Sequence, residues 1–103
     1  MSGQIRGGFG EHGNVDADGN WSQASNWTVG VPNAVGASAI FGSVITAPRT
    51  VTLDVPIRVG RIDFANANSY TIAGTNTLTL DVTSGEAQLN VTSGNHTISA
   101  PVT

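Results

Sequence analysis

Apolar residues in the second half of this chain return at a nearly constant distance, and that recurrence limits the folds open to it more than any other feature. From Thr50 onward, single residues alternate between apolar and polar: Val51, Leu53 and Val55 on one side, Thr50, Thr52 and Asp54 on the other. This is the period of a strand with one buried face. Further strands are predicted at Val59 to Phe64, Tyr70 to Ala73, Thr77 to Val82, Ala87 to Val91 and Thr97 to Ala100, with an earlier one at Ser38 to Phe41. Nearly all are followed by Gly, Asn or Pro, and no window has helical periodicity. Laid over one another, the strands form two families. Val51, Tyr70 and Leu89 are 19 apart, as are Leu53, Ile72 and Val91; Ile62, Leu80 and Ile98 are 18 apart, as are Phe64, Val82 and Ala100.

A chain that regains one inward position every 18 or 19 residues can stack successive turns at the strand spacing of about 4.8 Å. The expected fold is therefore all-β, a parallel β-solenoid (β-helix) of 18–19 residues per rung. Outward Thr residues would form hydroxyl-lined walls, and Gly74, Gly85 and Gly94 would turn the corners. The rival is an antiparallel β-sandwich, whose strands also arrive every 8 to 12 residues. A sandwich gives no reason for alternate strands to share a register, so the recurrence favours the solenoid.

The rest of the chain divides accordingly. Residues 1–20 hold six glycines and form a Gly-rich arm; residues 21–49 carry both tryptophans and the first strand, a capping segment; residues 50–103 are the repeats. All three belong to one domain, as 103 residues allow.

Composition narrows function. Charged residues are 11% of the chain and the formal net charge is -3, so no basic field exists to hold a phosphate backbone, and nucleic acid is not an expected partner. No run of apolar residues is long enough for a membrane helix, and the opening residues lack a signal peptide's apolar core; the sequence reads as a mature segment. Cysteine is absent, which excludes disulfides and thiolate metal sites.

Three residue groups are candidates for chemistry. Trp21 and Trp27, six apart, would share one face of an extended segment and could stack on sugar rings, with Asn20 and Asn26 as flanking donors; the other role for the indoles is to cover the apolar end of the first rung. Asn14, Asp16, Asp18 and Asn20 alternate around Gly19 as the oxygen ligands of a calcium loop do, but the bidentate Glu such a loop needs is replaced by Ser25. Asp-Gly and Asn are also ordinary turn residues. The acids Glu11, Asp54, Asp63, Asp81 and Glu86, with His12 and His96, are scattered over turns and strand ends, so no paired carboxylates for glycoside cleavage are expected, and the chain is not read as an enzyme. Arg58 and Arg61 are expected to pair with Asp54 or Asp63.

The run from Asp16 to Pro32, with its Asn20-Trp21-Ser22 and Asn26-Trp27-Thr28 pair, together with Thr50 to Asp54 and Ser69 to Gly74, resembles autotransporter-associated β-strand repeat proteins over roughly residues 14 to 103. The Gly-rich first 13 residues and the stop at Thr103 depart from that pattern. The resemblance implies a large secreted or surface-anchored bacterial protein, located at the cell surface or outside the cell, with no catalytic residues in this segment; the residues themselves call for no cofactor unless the Asn14 to Asn20 run holds calcium. It makes the chain a structural or adhesive module; a carbohydrate-binding module built on Trp21 and Trp27 is the alternative. A stack without a terminal cap leaves strand edges unpaired, and either further chain or other copies adding end to end into a filament would meet them. Partners are thus expected to be the remainder of a larger surface protein, copies of the chain itself, or polysaccharide.

Overall fold

The computed structural model describes residues 10–12, 16–28 and 30–103. Ten strands occupy them: β1 (Gly10–His12), β2 (Gly19–Asn20), β3 (Ser38–Phe41), β4 (Arg49–Thr52), β5 (Ile57–Val59), β6 (Arg61–Ala65), β7 (Tyr70–Ala73), β8 (Leu78–Leu80), β9 (Gln88–Ser93) and β10 (Thr97–Ile98). The only helical element among them is a single 3-10 turn at Ala24–Asn26. The strands form three small sheets ordered β1-β3-β6-β9, β10-β7-β4-β2 and β5-β8. Every strand pair is parallel.

Two expectations are corrected here. Parallel pairing throughout replaces the antiparallel sandwich. The solenoid of 18–19 residues per rung is replaced by three small parallel sheets whose pairing distances are longer and unequal. Ser38 aligns with Arg61, 23 residues on, and Arg61 with Gln88, 27 on. Arg49 aligns with Tyr70, 21 on, and Thr71 with Thr97, 26 on. Val51, Tyr70 and Leu89 form no common row: Val51 stands beside Ile72, Tyr70 beside Arg49, and Leu89 beside Ile62. The physical reason is that the recurrence measured the even spacing of strands along the chain, whereas register depends on how much chain each connection absorbs. The connection between β8 and β9, residues 81–87, is much longer than the single Gly60 between β5 and β6.

Gly60 shows how tight a connection can be. Its amide donates to the Ala37 carbonyl at 2.7 Å, and a Cβ on it would lie 2.7 Å from both the Gly36 Cα and Val82 Cγ1. The expected strand over Val59 to Phe64 is consequently two strands in two sheets. The corner glycines are as expected, with positive φ at Gly74, Gly85 and Gly94, and also at Gly36.

The core follows from the alternation. In the first sheet Ala39 and Phe41 of β3 align with Ile62 and Phe64 of β6, and all four are buried. Ile72 of β7, Ile57 and Val59 of β5, and Leu78 of β8 close the core from the other two sheets. Each such aliphatic side chain contributes about 1.5–3 kcal/mol when fully withdrawn from water. Polar residues alternate outward: Thr50, Thr71 and Thr97 stand side by side on three neighbouring strands. The expected arm of residues 1–20 supplies β1 and β2, which pair with β3 and β4.

Candidate functional site

The aromatic segment folds back through the 3-10 turn at Ala24–Asn26, where the Trp27 amide donates to the Ala24 carbonyl. That reversal brings two residues six apart in sequence onto one side. Asn26 Nδ2 fixes it by donating to the Asn20 carbonyl at 2.9 Å. The indoles turn inward. Trp21 is 0% exposed and Trp27 5%, their ring centroids lie 5.1 Å apart, and each is 5.5 Å from Phe41. Their N–H groups are satisfied within the fold: Trp21 Nε1 donates to the Pro32 carbonyl at 2.9 Å, and Trp27 Nε1 to the Trp21 carbonyl at 2.8 Å. The sugar-stacking platform is corrected accordingly, because neither indole turns a face to solvent. Asn26 holds the turn together, and Asn20 supplies its backbone carbonyl to that bond.

Beside the indoles, Gly19, Asn20, Asn26, Trp27, Arg49 and Tyr70 help to line a cavity of about 30 Å³. That is the scale of a water molecule or two, well below a sugar ring.

The aspartates of the calcium-like run are directed at separate partners. Asp16 accepts from the Thr46 amide at 3.0 Å, the Thr46 hydroxyl at 2.6 Å and Arg49 Nε at 3.0 Å. The Thr46 hydroxyl and amide, followed by the Arg49 guanidinium, hold its carboxyl at about 2. Asp18 accepts from the Thr50 amide at 2.7 Å, and Asn14 lies outside the described residues. Among the described residues, no three His, Cys, Asp or Glu side chains group to hold a metal ion. A third aspartate works the same way from the opposite side: Asp54 accepts from the Ser22 hydroxyl and from the Ser22 amide at 3.0 Å, and these bonds lower its pKa. Asp16, Asp18 and Asp54 together fasten residues 16–22 onto the flanks of β4.

Arg58 and Arg61 pair locally. Arg61 meets Asp63 at 2.9 Å as expected, whereas Arg58 meets Asp81 at 2.6 Å in place of Asp54. Both pairs are solvent-exposed, where such contacts contribute about 0–1 kcal/mol.

Two features carried no recognisable sequence signal. The first is an aromatic column. Phe41 stacks on Phe64 at 5.3 Å, and Phe64 on His96 at 4.6 Å. His96 Nδ1 accepts from the Tyr70 amide at 3.0 Å, its Nε2 lies 2.9 Å from the Ser93 carbonyl, and the Tyr70 hydroxyl donates to the Gly42 carbonyl at 2.7 Å. The second is the face formed by the last strands. Leu89 and Val91 of β9 align with the buried Ile62 and Phe64, yet are 48% and 54% exposed; Val102, bridged to Leu78, is 48% exposed. Inward positions without a covering layer are the most prominent unused surface among the described residues.

No protein-family model, no curated protein and no solved structure matches this chain. The fold and the placement of these residues define an all-β protein of small parallel sheets, and its functional reading rests on them.

Proposed function

We propose that this chain is a structural or adhesive module of a secreted or surface-held bacterial protein, and that it catalyses no reaction. One observation carries the reading: Thr50, Thr71 and Thr97 form an in-register outward column on β4, β7 and β10, backed by Val51, Ile72 and Ile98 on the inward side. Such a wall stays wetted through hydroxyls while its β-branched stems reinforce strand pairing. Asp16, Asp18, Asp54 and Asp81, with Arg49 and Arg58, fasten segments of the chain to one another, which suits a part whose task is to keep its shape. The likeness of the Asn20 to Thr28 run to autotransporter-associated β-strand repeats supports a place outside the cytoplasm.

A glycan array tests the reading against carbohydrate binding. The module reading expects no saturable signal. Saturable binding that is lost in the exposed-site variant Asn20→Ala would replace it with a sugar-binding role. Antibodies against the chain should label intact cells of the source bacterium; labelling only after permeabilisation would overturn the surface placement.

A further inference from the structure

β9 combines three properties that rarely coincide. With six residues it is the longest strand described, and it lies at the edge of its sheet. Its inward residues Leu89 and Val91 are half exposed. From Gln88 to Thr103 there is no Asp, Glu, Lys or Arg. Edge strands are ordinarily protected by charges, by Pro or by bulges, because their free N–H and C=O groups recruit other strands. β9 has only an irregularity after Phe64, where Ala65 aligns with Ser93 and Thr92 becomes an extra residue. Gln88 to Val91 remain as a regular, uncharged edge.

The occupant of that edge must supply backbone partners, place apolar side chains over Leu89 and Val91, and bring no charge. A second β9 meets all three conditions. We propose that two copies of this chain pair through β9, antiparallel about a twofold axis at Asn90. Leu89 of each copy then faces Val91 of the other, and two four-stranded sheets join into one of eight strands. The uncharged stretch favours this choice: β9 itself brings no charged side chain to the contact, and the nearest charges, Arg61 and Asp63 on β6, are paired with each other. A twofold contact uses the same patch on both copies and closes, so the product is a dimer and not a filament. The dimer rests on the structural-module reading for its role, while the pairing itself stands on the geometry of β9.

The test is sedimentation velocity of the full chain across a concentration range. A monomer–dimer equilibrium with nothing larger is expected. Val91→Lys puts two charges into the contact at a site already exposed in the monomer, so circular dichroism should be unchanged while the dimer weakens at least about tenfold. Thr83→Lys, on the exposed connection before β9, should leave the dimer intact. Asn90→Cys introduces the chain's sole cysteine on the twofold axis. Cα atoms of directly opposed antiparallel residues lie about 4.5–5.5 Å apart, within disulfide reach, so a covalent dimer should form on mild oxidation. Monomers at every concentration, open-ended polymers, or a dimer indifferent to Val91→Lys would each overturn the pairing. A monomer with a silent glycan array would do so while leaving the module reading in place.

Discussion

Phe41 and Phe64, aligned on adjacent parallel strands, stack with their ring centroids 5.3 Å apart and 18° between their planes. This contact joins the tryptophan pair at one end of the core to His96 at the other, so it is the step through which packing passes along the first sheet. Phe64→Ala removes a buried ring with aromatic neighbours on both sides, and should lower stability by about 3–5 kcal/mol in urea unfolding. Phe64→Leu, which keeps most of the volume, should cost distinctly less.

Acid should loosen the attachment of residues 16–22 to β4. The folded-state pKa of Asp16 is lowered from 3.8 to about 2 by its bonds to Thr46 and by Arg49. A carboxyl of this kind stabilises the fold above its unfolded pKa, and that contribution disappears as pH falls from 3.8 through about 2. Asp54, lowered through Ser22, acts with the same sign. The urea midpoint should therefore fall across that window, and Asp16→Asn should flatten the fall.

Alkali should act through Tyr70, the single tyrosine of the chain. Burial, with the charge of Asp16 as the smaller cause, pushes its hydroxyl up to about 12 from 10.0. The neutral phenol is the form the fold favours, so this contribution is present below 10 and is lost as pH rises through about 12. Tyrosinate absorbance should titrate near 12 in the native protein and near 10 in urea. A native titration at the ordinary value would contradict the burial of the Tyr70 hydroxyl.

Gly94 and Gly85 share a φ of 78° but differ in their surroundings. A Cβ at Gly94 would lie 2.0 Å from the Asn66 carbonyl oxygen, whereas a Cβ at Gly85 would enter open space. Gly85→Ala should cost about 1–2 kcal/mol, the left-handed conformation alone. Gly94→Ala should cost clearly more and disturb the Tyr70–His96 contact, as thermal melts of the two variants would show.

Much of this arrangement could be read from the residues. An apolar run located Ser38–Phe41, and the strand pattern located Tyr70–Ala73, to the residue, and Gly74, Gly85 and Gly94 were recognisable as turns needing positive φ. Register could not be read in the same way. The true partners Phe41 and Phe64 are 23 apart and Ile62 and Leu89 are 27 apart, because side chains repeat every two residues within a strand while nothing local measures the length of a connection. The site residues failed for a related reason. Trp21 and Trp27 share one side as expected, but whether that side faces water or the core depends on Phe41, which arrives from a distant strand. Asp16, Asp18 and Asp54 look like turn or metal residues until Thr46, Thr50 and Ser22 are brought to them.

The unequal connections have a practical outcome for anyone altering this chain. At Gly60 the backbone crosses between sheets with no spare length, and an inserted residue there would shift every inward side chain of β6 to the wrong side. Between Thr83 and Glu86 the chain runs exposed, so foreign peptide spliced into that stretch should leave the neighbouring strands in place. Length variation is thus confined to particular corners, and those corners are the natural attachment points for grafted epitopes or tags.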